Sequence, residues 1–560
     1  MRGITVLTLT LRLVSRVLSH PTGSEHCSNL PIVDLGYNLH QAISYNASSE
    51  IYKFQNIRYA NNPTLDLRFR APTAPDTNRW TVQTGDRPRT CPQGMPDWQV
   101  KGTAAAAKYM NPDQPFTLEA WKEDFLNATV PPNLDFNTDT TEDCLFLDVH
   151  VPRKVFHGAR KGARGDAPVL VFIHGGGYVL SSKLRAPTPA FFPDGLFAHA
   201  NKNHEDMIYV ALNYRLGALG FLAGPEVERD GVLNAGLLDQ RFALEWVQRY
   251  IHLFGGSPDK VTVMGESAGG GSILLHMAGS YATNTSTPFR AAIPQSPAIL
   301  PGYVNPSDSF AGFLRYLNVS SLQEAREVDK SRIIAANAAQ IADAPTTSYI
   351  YDPVIDGSYV PDKVMHALRD GRFDKSVAVL AAHNSFEGSF FFDPTIETEN
   401  EFRSWLRRSI PGLQNKDVAY LMERLYPATF GDTALGYVDQ ASRQMALYSE
   451  AVIDCHFGAI GDAMHGQSYA YKFSISPGVH TQDLDYTFNS PSSPARFPAA
   501  QNAIQDMIVG FVQNGVPRSA DGEVFPRWGS ERRLLNITST APEWSRSEVN
   551  RTRCGWWSDW

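Results

Sequence analysis

A serine stands at a sharp corner of this chain. The run VTVMGESAGGGSILLHM, from Val261 to Met277, carries a β-type apolar stretch into Gly265, Glu266 and Ser267. Small residues and a helix-like apolar segment follow. Gly265, Gly269, Gly270 and Gly271 wall the serine in. One reading is simply that glycines make tight turns. The other is a GxSxG elbow, a strand-to-helix turn that presents a nucleophilic hydroxyl. So short a motif does not decide between them, and the remaining chemistry must.

A serine hydroxyl is a poor nucleophile and needs a base to take its proton. A histidine such as His480, in SPGVHTQD, suits that task and can hand the proton on to a leaving alcohol. Glu387, in HNSFEG, can accept a hydrogen bond from the other ring nitrogen, fix the tautomer and stabilise the imidazolium. The tetrahedral intermediate carries an oxyanion that must meet preorganised donors. The backbone N–H groups of Gly176 and Gly177 in HGGG, with that of Ala268 after the serine, can supply them.

These groups need a frame. Val169–Ile173 (VLVFI), Ile208–Leu212 (IYVAL), Val261–Met264 (VTVM), Val377–Ala382 (VAVLAA) and Tyr469–Phe473 (YAYKF) are predicted to be short buried strands. Helical patterns lie between them, such as Gly236–Ile251, whose apolar residues recur three and four apart. Strands alternating with helices predict an α/β layer fold with a mostly parallel central sheet flanked by helices. No Pro/Ser/Gly linker splits the chain, so one domain over 27–555 with large surface insertions is expected.

In such a sheet, ligands meet the protein beyond the carboxyl ends of the strands. Ser267, the HGGG run from His174 to Gly177, Glu387 and His480 each follow a predicted strand and so belong at one edge. Their chain order, Ser then Glu then His, is that of an α/β-hydrolase triad. The same rule rejects decoys. Asp374 and His465 precede their strands and belong at the far edge. His276 lies well inside the helix after the elbow and reads as a packed core residue, and His174 as one that orders its loop.

Composition agrees with a globular protein: 43% of the 560 residues are apolar and 19% charged. A net charge of −8 argues against a nucleic-acid partner. No run of apolar residues is long enough to span a membrane. Met1-Arg2 followed by GITVLTLTL reads as a signal peptide over 1–19, although Arg12 and Arg16 interrupt it; a misassigned start is the alternative. Sequons at Asn46, Asn127, Asn284, Asn318, Asn536 and Asn550 point the same way, towards glycosylation and secretion. None of the cysteines, Cys27, Cys91, Cys144, Cys455 and Cys554, lies in a CxxC pair, which argues against a zinc or dithiol redox site. Their odd number leaves at least one thiol outside internal pairing. No metal or cofactor is implied.

The motifs TEDCLFLDVHVP (Thr141–Pro152), VFIHGGGYVL (Val171–Leu180), NYRLGALGFL (Asn213–Leu222), LLDQRFALEWV (Leu237–Val247) and FGGSPDKVTVMGESAGG (Phe254–Gly270) resemble the type-B carboxylesterase/lipase family, which includes the cholinesterases. The CPQ, HTQDLDYTF and RCGWW segments most resemble fungal members. The resemblance implies an α/β-hydrolase fold and hydrolysis of small carboxylic esters through an acyl-enzyme. It further implies a Cys91–Cys144 disulfide closing a flap over the site, and ion pairs Arg68–Glu142 and Arg215–Asp239. Glu266, beside the nucleophile, is expected to tune the site electrostatically.

There are departures. Thr481 stands where the family often has glycine after its histidine, and the flap is longer than in cholinesterases. The choline-binding tryptophan of that group has no aligned counterpart; Trp98 or Trp121 could substitute, with flap packing as the simpler role. Cys455 and Cys554 could pair with each other, which leaves Cys27 over. Tyr178, Phe386, Phe390, Phe391 and Phe392 suggest an apolar pocket, though core packing accounts for most of them. Two other readings compete with an extracellular serine esterase. A lipase or sterol esterase would need an amphipathic lid, and the flap is rich in Asp, Asn and Pro. A non-catalytic adhesion protein of the same family would lack the nucleophile, which is present here.

Overall fold

Runs such as VLVFI are apolar at every position, so they can lie only where both faces of a sheet are covered. A computed structural model shows them at the centre of such a layer. It describes residues 30–560 except 88, 110–114, 132–139, 162–164, 185–190, 302–305, 490–493 and 520–522. The expected signal segment and Cys27 lie outside the described residues.

The main sheet is built from β1 (Ser44–Asn46), β2 (Ile51–Arg58), β3 (Phe146–Pro152), β4 (Ala167–Ile173), β5 (Ile208–Leu212), β6 (Gly256–Glu266), β7 (Ala291–Gln295), β8 (Ala378–Asn384), β9 (Ser468–Phe473), β10 (Arg533–Ile537) and β11 (Glu543–Arg546). Among the described residues its order is β11-β10-β9-β8-β7-β6-β4-β5-β3-β2-β1. Every pair from β5 to β10 is parallel, and the flanking pairs are antiparallel. The five predicted strands are all present: Ile208–Leu212 as predicted, three lengthened, and Val377–Ala382 shifted to Ala378–Asn384, which leaves Val377 outside it. The predicted helix is observed at Ala235–Tyr250.

Side chains alternate across the sheet as the two-residue period requires. Val169, Val171 and Ile173 of β4 enter one apolar core, and Leu170 and Phe172 enter another on the opposite face. The parallel register aligns the strand ends: Gln295 pairs with Glu266 and with Ala382, and Asn384 pairs with Phe473. The loops after β4, β6, β7, β8 and β9 therefore emerge at one edge.

A disulfide joins Cys91 to Cys144 and closes the flap, which carries helices Asp97–Tyr109 and Leu118–Asn127. A second joins Cys455, at the start of helix Cys455–Ala463, to Cys554 in the last helix, Arg551–Asp559. Both ion pairs implied by the resemblance are present. Arg68 donates from Nε and Nη2 to the two Glu142 oxygens at 2.7 Å, and its Nη1 donates to the carbonyls of Ala325, Arg326 and Val328. Arg215 donates likewise to Asp239 at 2.7 Å. Bidentate geometry lets both charges stay buried, helped at Arg68 by the further carbonyl acceptors.

Candidate active site

Ser267 occupies a conformation that an L-residue rarely adopts, with φ 58° and ψ −124°. Such backbone costs about 1–3 kcal/mol and persists only where its surroundings over-determine it. Here they do. Ser267 N–H donates to the Gln295 carbonyl at 3.0 Å, and its own carbonyl accepts from Gly271 at 2.9 Å and Ala298 at 3.0 Å. The approach behind the elbow excludes a side chain: a Cβ on Gly269 would stand 2.2 Å from the Ile173 carbonyl oxygen. That glycine lets helix Ala268–Ala282 start directly against β4.

The three residues singled out for nucleophilic chemistry meet at this elbow. His480 Nε2 lies 2.9 Å from Ser267 Oγ, and His480 Nδ1 lies 2.5 Å from Glu387 Oε2. The other Glu387 oxygen accepts from the Asn384 N–H at 2.5 Å and from Ser296 Oγ at 2.6 Å. A backbone bond of 2.8 Å from Phe386 N–H to the Gly478 carbonyl ties the loop of Glu387 to that of His480. Ser296 and Asn384 escaped the sequence reading. Both stand at carboxyl ends of sheet strands, β7 and β8, so the edge rule could have found them.

The HGGG loop lies beside the serine. Gly176 has φ +101°, and a Cβ there would stand 2.2 Å from the Leu180 carbonyl oxygen. Gly176, Gly177, Ser267 and His480 share the wall of a cavity of about 310 Å³. Tyr349, Phe390, Phe391, Leu180, Phe191 and Met95 make much of that wall apolar. Phe386 packs instead on Phe116, and Phe392 on Phe125. Ala268 is the first residue of its helix, so its N–H has no intrahelical acceptor.

Glu266 is buried beside Ser267 and His480, its Oε1 3.3 Å from His480 Nε2. Burial raises this carboxyl to about 8, against the attraction of His480. Burial pulls the imidazole of His480 down, but the carboxylates of Glu266 and Glu387 outweigh it and hold the ring up, at about 9.

The rejected candidates lie elsewhere. His276 is buried between the Tyr359 hydroxyl, 2.8 Å away, and Gln240 Oε1, at 2.9 Å. His174 stacks on Tyr214, and its Nδ1 lies 2.9 Å from the Gly175 carbonyl oxygen. Asp374 accepts from Ser376 in a turn. His465 borders a different hollow, near Cys455 and Cys554. Trp121 packs among Tyr109, Phe116 and Phe390 within the flap. Trp98 packs on Tyr349 and Phe391. Among the sequons, Asn46, Asn127, Asn284 and Asn318 are exposed; Asn536 and Asn550 are half-buried, and Asn550 caps the last helix.

The profile of the carboxylesterase family matches residues 40–557. The carboxylesterase patB of Aspergillus clavatus is 36% identical over 97% of this chain and 98% of its own length. A secreted lipase of Arthroderma benhamiae is 31% identical over 62% of this chain and 66% of its own. The crystal structure of Aspergillus niger EstA superposes with a TM-score of 0.75 at 26% identity, over 95% of this chain and 98% of that one. A nearly full-length match, on a sheet whose strand ends gather a serine, a histidine and a glutamate, places this chain in the carboxylesterase family, as a carboxylic ester hydrolase of the α/β-hydrolase fold.

Proposed function

We propose that Ser267 is the nucleophile, His480 the general base and Glu387 the carboxylate that orients it, and that hydrolysis runs through an acyl-enzyme. The observation that carries this reading is the continuous hydrogen-bonded line Ser267–His480–Glu387 on a strained elbow that opens into a cavity. Ser267 Oγ attacks the ester carbonyl as its proton passes to His480 Nε2. The tetrahedral oxyanion meets the N–H groups of Gly176, Gly177 and Ala268. His480 then returns the proton to the departing alcohol, and a water repeats the sequence on the acyl-enzyme. Each oxyanion donor is worth about 3 kcal/mol in such sites. Replacing Ser267 by Ala should abolish labelling by an organophosphonate and lower ester hydrolysis by several orders of magnitude. Undiminished hydrolysis by folded Ser267→Ala protein would sink the assignment.

The substrate is a small carboxylic ester in solution rather than a lipid surface. A lid that opens on lipid needs a broad apolar outer face. Leu126 is the one exposed large apolar residue on the two described flap helices. Hydrolysis that jumps as an ester passes its solubility limit would favour the lipase reading. Two disulfides and four exposed sequons support passage through an oxidising secretory route, with glycans at Asn46, Asn127, Asn284 and Asn318. Tryptic mapping of secreted protein before and after deglycosylation tests this; unmodified peptides at all four would refute it.

A further inference from the structure

Two spaces reach Ser267. The cavity of about 310 Å³ touches both Ser267 and His480. A second, of about 30 Å³, touches Ser267 and Ala268 but not His480, and Ala298, Ile299, Leu300 and Val452 help to make it apolar. Given the nucleophile and base proposed above, this contrast assigns the two halves of an ester. The leaving oxygen must face His480 to receive its proton, so the alcohol half extends into the larger cavity. The acyl substituent leaves the carbonyl carbon on the other side.

Among the described residues, two carboxyls belong to the wall of the larger cavity, those of Glu266 and Asp485. Glu266 is engaged with His480, 3.3 Å away. Asp485 is half-buried in the short helix Asp483–Phe488 that follows His480. Its backbone carbonyl accepts from the Asn489 N–H at 3.2 Å, but its side chain makes no hydrogen bond or ion pair among the described residues. Burial and the neighbouring Asp483 both raise its carboxyl, to about 6, and no cation or donor acts the other way. It is therefore ionised at neutral pH and above. Asp483, by contrast, is occupied: it accepts from the Tyr471 hydroxyl at 2.9 Å and from Gln295 Nε2 at 3.1 Å.

An apolar alcohol group that filled this cavity would part Asp485 from water and leave a charge unmatched, which is costly. A hydroxyl or an ammonium N–H would instead give the carboxylate a charge-assisted hydrogen bond. A carboxylate on the alcohol would be repelled by it. We propose that Asp485 is a specificity-determining residue for the alcohol half of the ester, and that the preferred alcohol carries a hydrogen-bond donor, hydroxyl or ammonium, to reach it.

The test keeps the acyl group constant and compares acetates whose alcohols are close in length: pentyl, 4-hydroxybutyl, 3-(dimethylamino)propyl in its ammonium form, and 3-carboxypropyl. In the wild-type protein at least one donor ester should exceed pentyl acetate in kcat/KM by about tenfold or more, as sites built to pair with a donor do. Whichever donor ester leads identifies the donor as hydroxyl or ammonium, and the carboxypropyl ester should be the poorest substrate. Asp485→Asn keeps the shape and an acceptor oxygen but not the charge. It should take away most of the ammonium ester's advantage, keep part of the hydroxyl ester's and relieve the penalty on the carboxypropyl ester. Asp485→Leu should remove both advantages. Each ratio is read within one protein, so a loss of folded enzyme cancels, and the Asn variant serves if the Leu variant does not fold. Pentyl acetate ahead of both donor esters in the wild type, or ratios unmoved by the Asp485 substitutions, would overturn the inference. Full activity in Ser267→Ala would instead strike the underlying placement of the nucleophile.

Discussion

Glu266 Oε1 stands 3.3 Å from His480 Nε2, the same nitrogen that Ser267 Oγ meets at 2.9 Å. A second carboxyl therefore faces Nε2 of the proposed base, opposite the one that holds Nδ1. An anion there stabilises the imidazolium and raises the pH at which the ring becomes neutral. The base acts only when neutral, so kcat/KM should rise with pH along a limb set by His480, which is held at about 9. Glu266→Gln removes a carboxyl that is ionised where His480, held higher, gives up its proton, without removing the volume. Its acid limb should move to lower pH, by about one unit for each 1.4 kcal/mol of lost attraction. Rate–pH profiles of both proteins check this, and a limb that stays put or moves to higher pH would contradict it.

The two histidines on either side of β9 should differ sharply. His480→Ala should be nearly as damaging as Ser267→Ala, several orders of magnitude in kcat, because nucleophile and base act as a unit. His465→Ala should keep most of kcat, since that side chain borders the hollow beside Cys455 and Cys554. Steady-state kinetics of the two variants decide it. A dead His465→Ala beside an active His480→Ala would mean that the site lies at the other edge of the sheet.

The flap disulfide closes a loop that carries part of the cavity wall, including Gln99, Thr103 and Ala106. Replacing Cys91 and Cys144 together by Ala should lower the unfolding free energy by about 2–4 kcal/mol, as freeing a long loop does. Denaturant midpoints measure the loss. Activity should fall as well, because helix Asp97–Tyr109 would no longer be anchored over the serine. A double variant of unchanged midpoint would show that packing of Trp98 and Trp121 suffices to hold the flap.

The sequence by itself determined the frame and put forward the candidate chemical residues. Short apolar runs bounded by turn signals are expected to be buried strands, residues that follow such strands are expected at one edge, and the order Ser267, Glu387, His480 puts forward the members. The glycines around Ser267 stand out in the sequence, but that Gly269 has no space for a Cβ because its backbone presses against Ile173 is a tertiary contact. Only the tertiary structure decided what depends on separation in the chain. His480 meets Ser267 across 213 positions and Glu387 across 93. No local pattern records that Ser296 and Asn384 hold Glu387, that Glu266 faces His480, or that Asp485 shares a cavity with Ser267. Those contacts arise from how helices and loops pack over a finished sheet, and a residue's type does not reveal which distant neighbour that packing will bring to it.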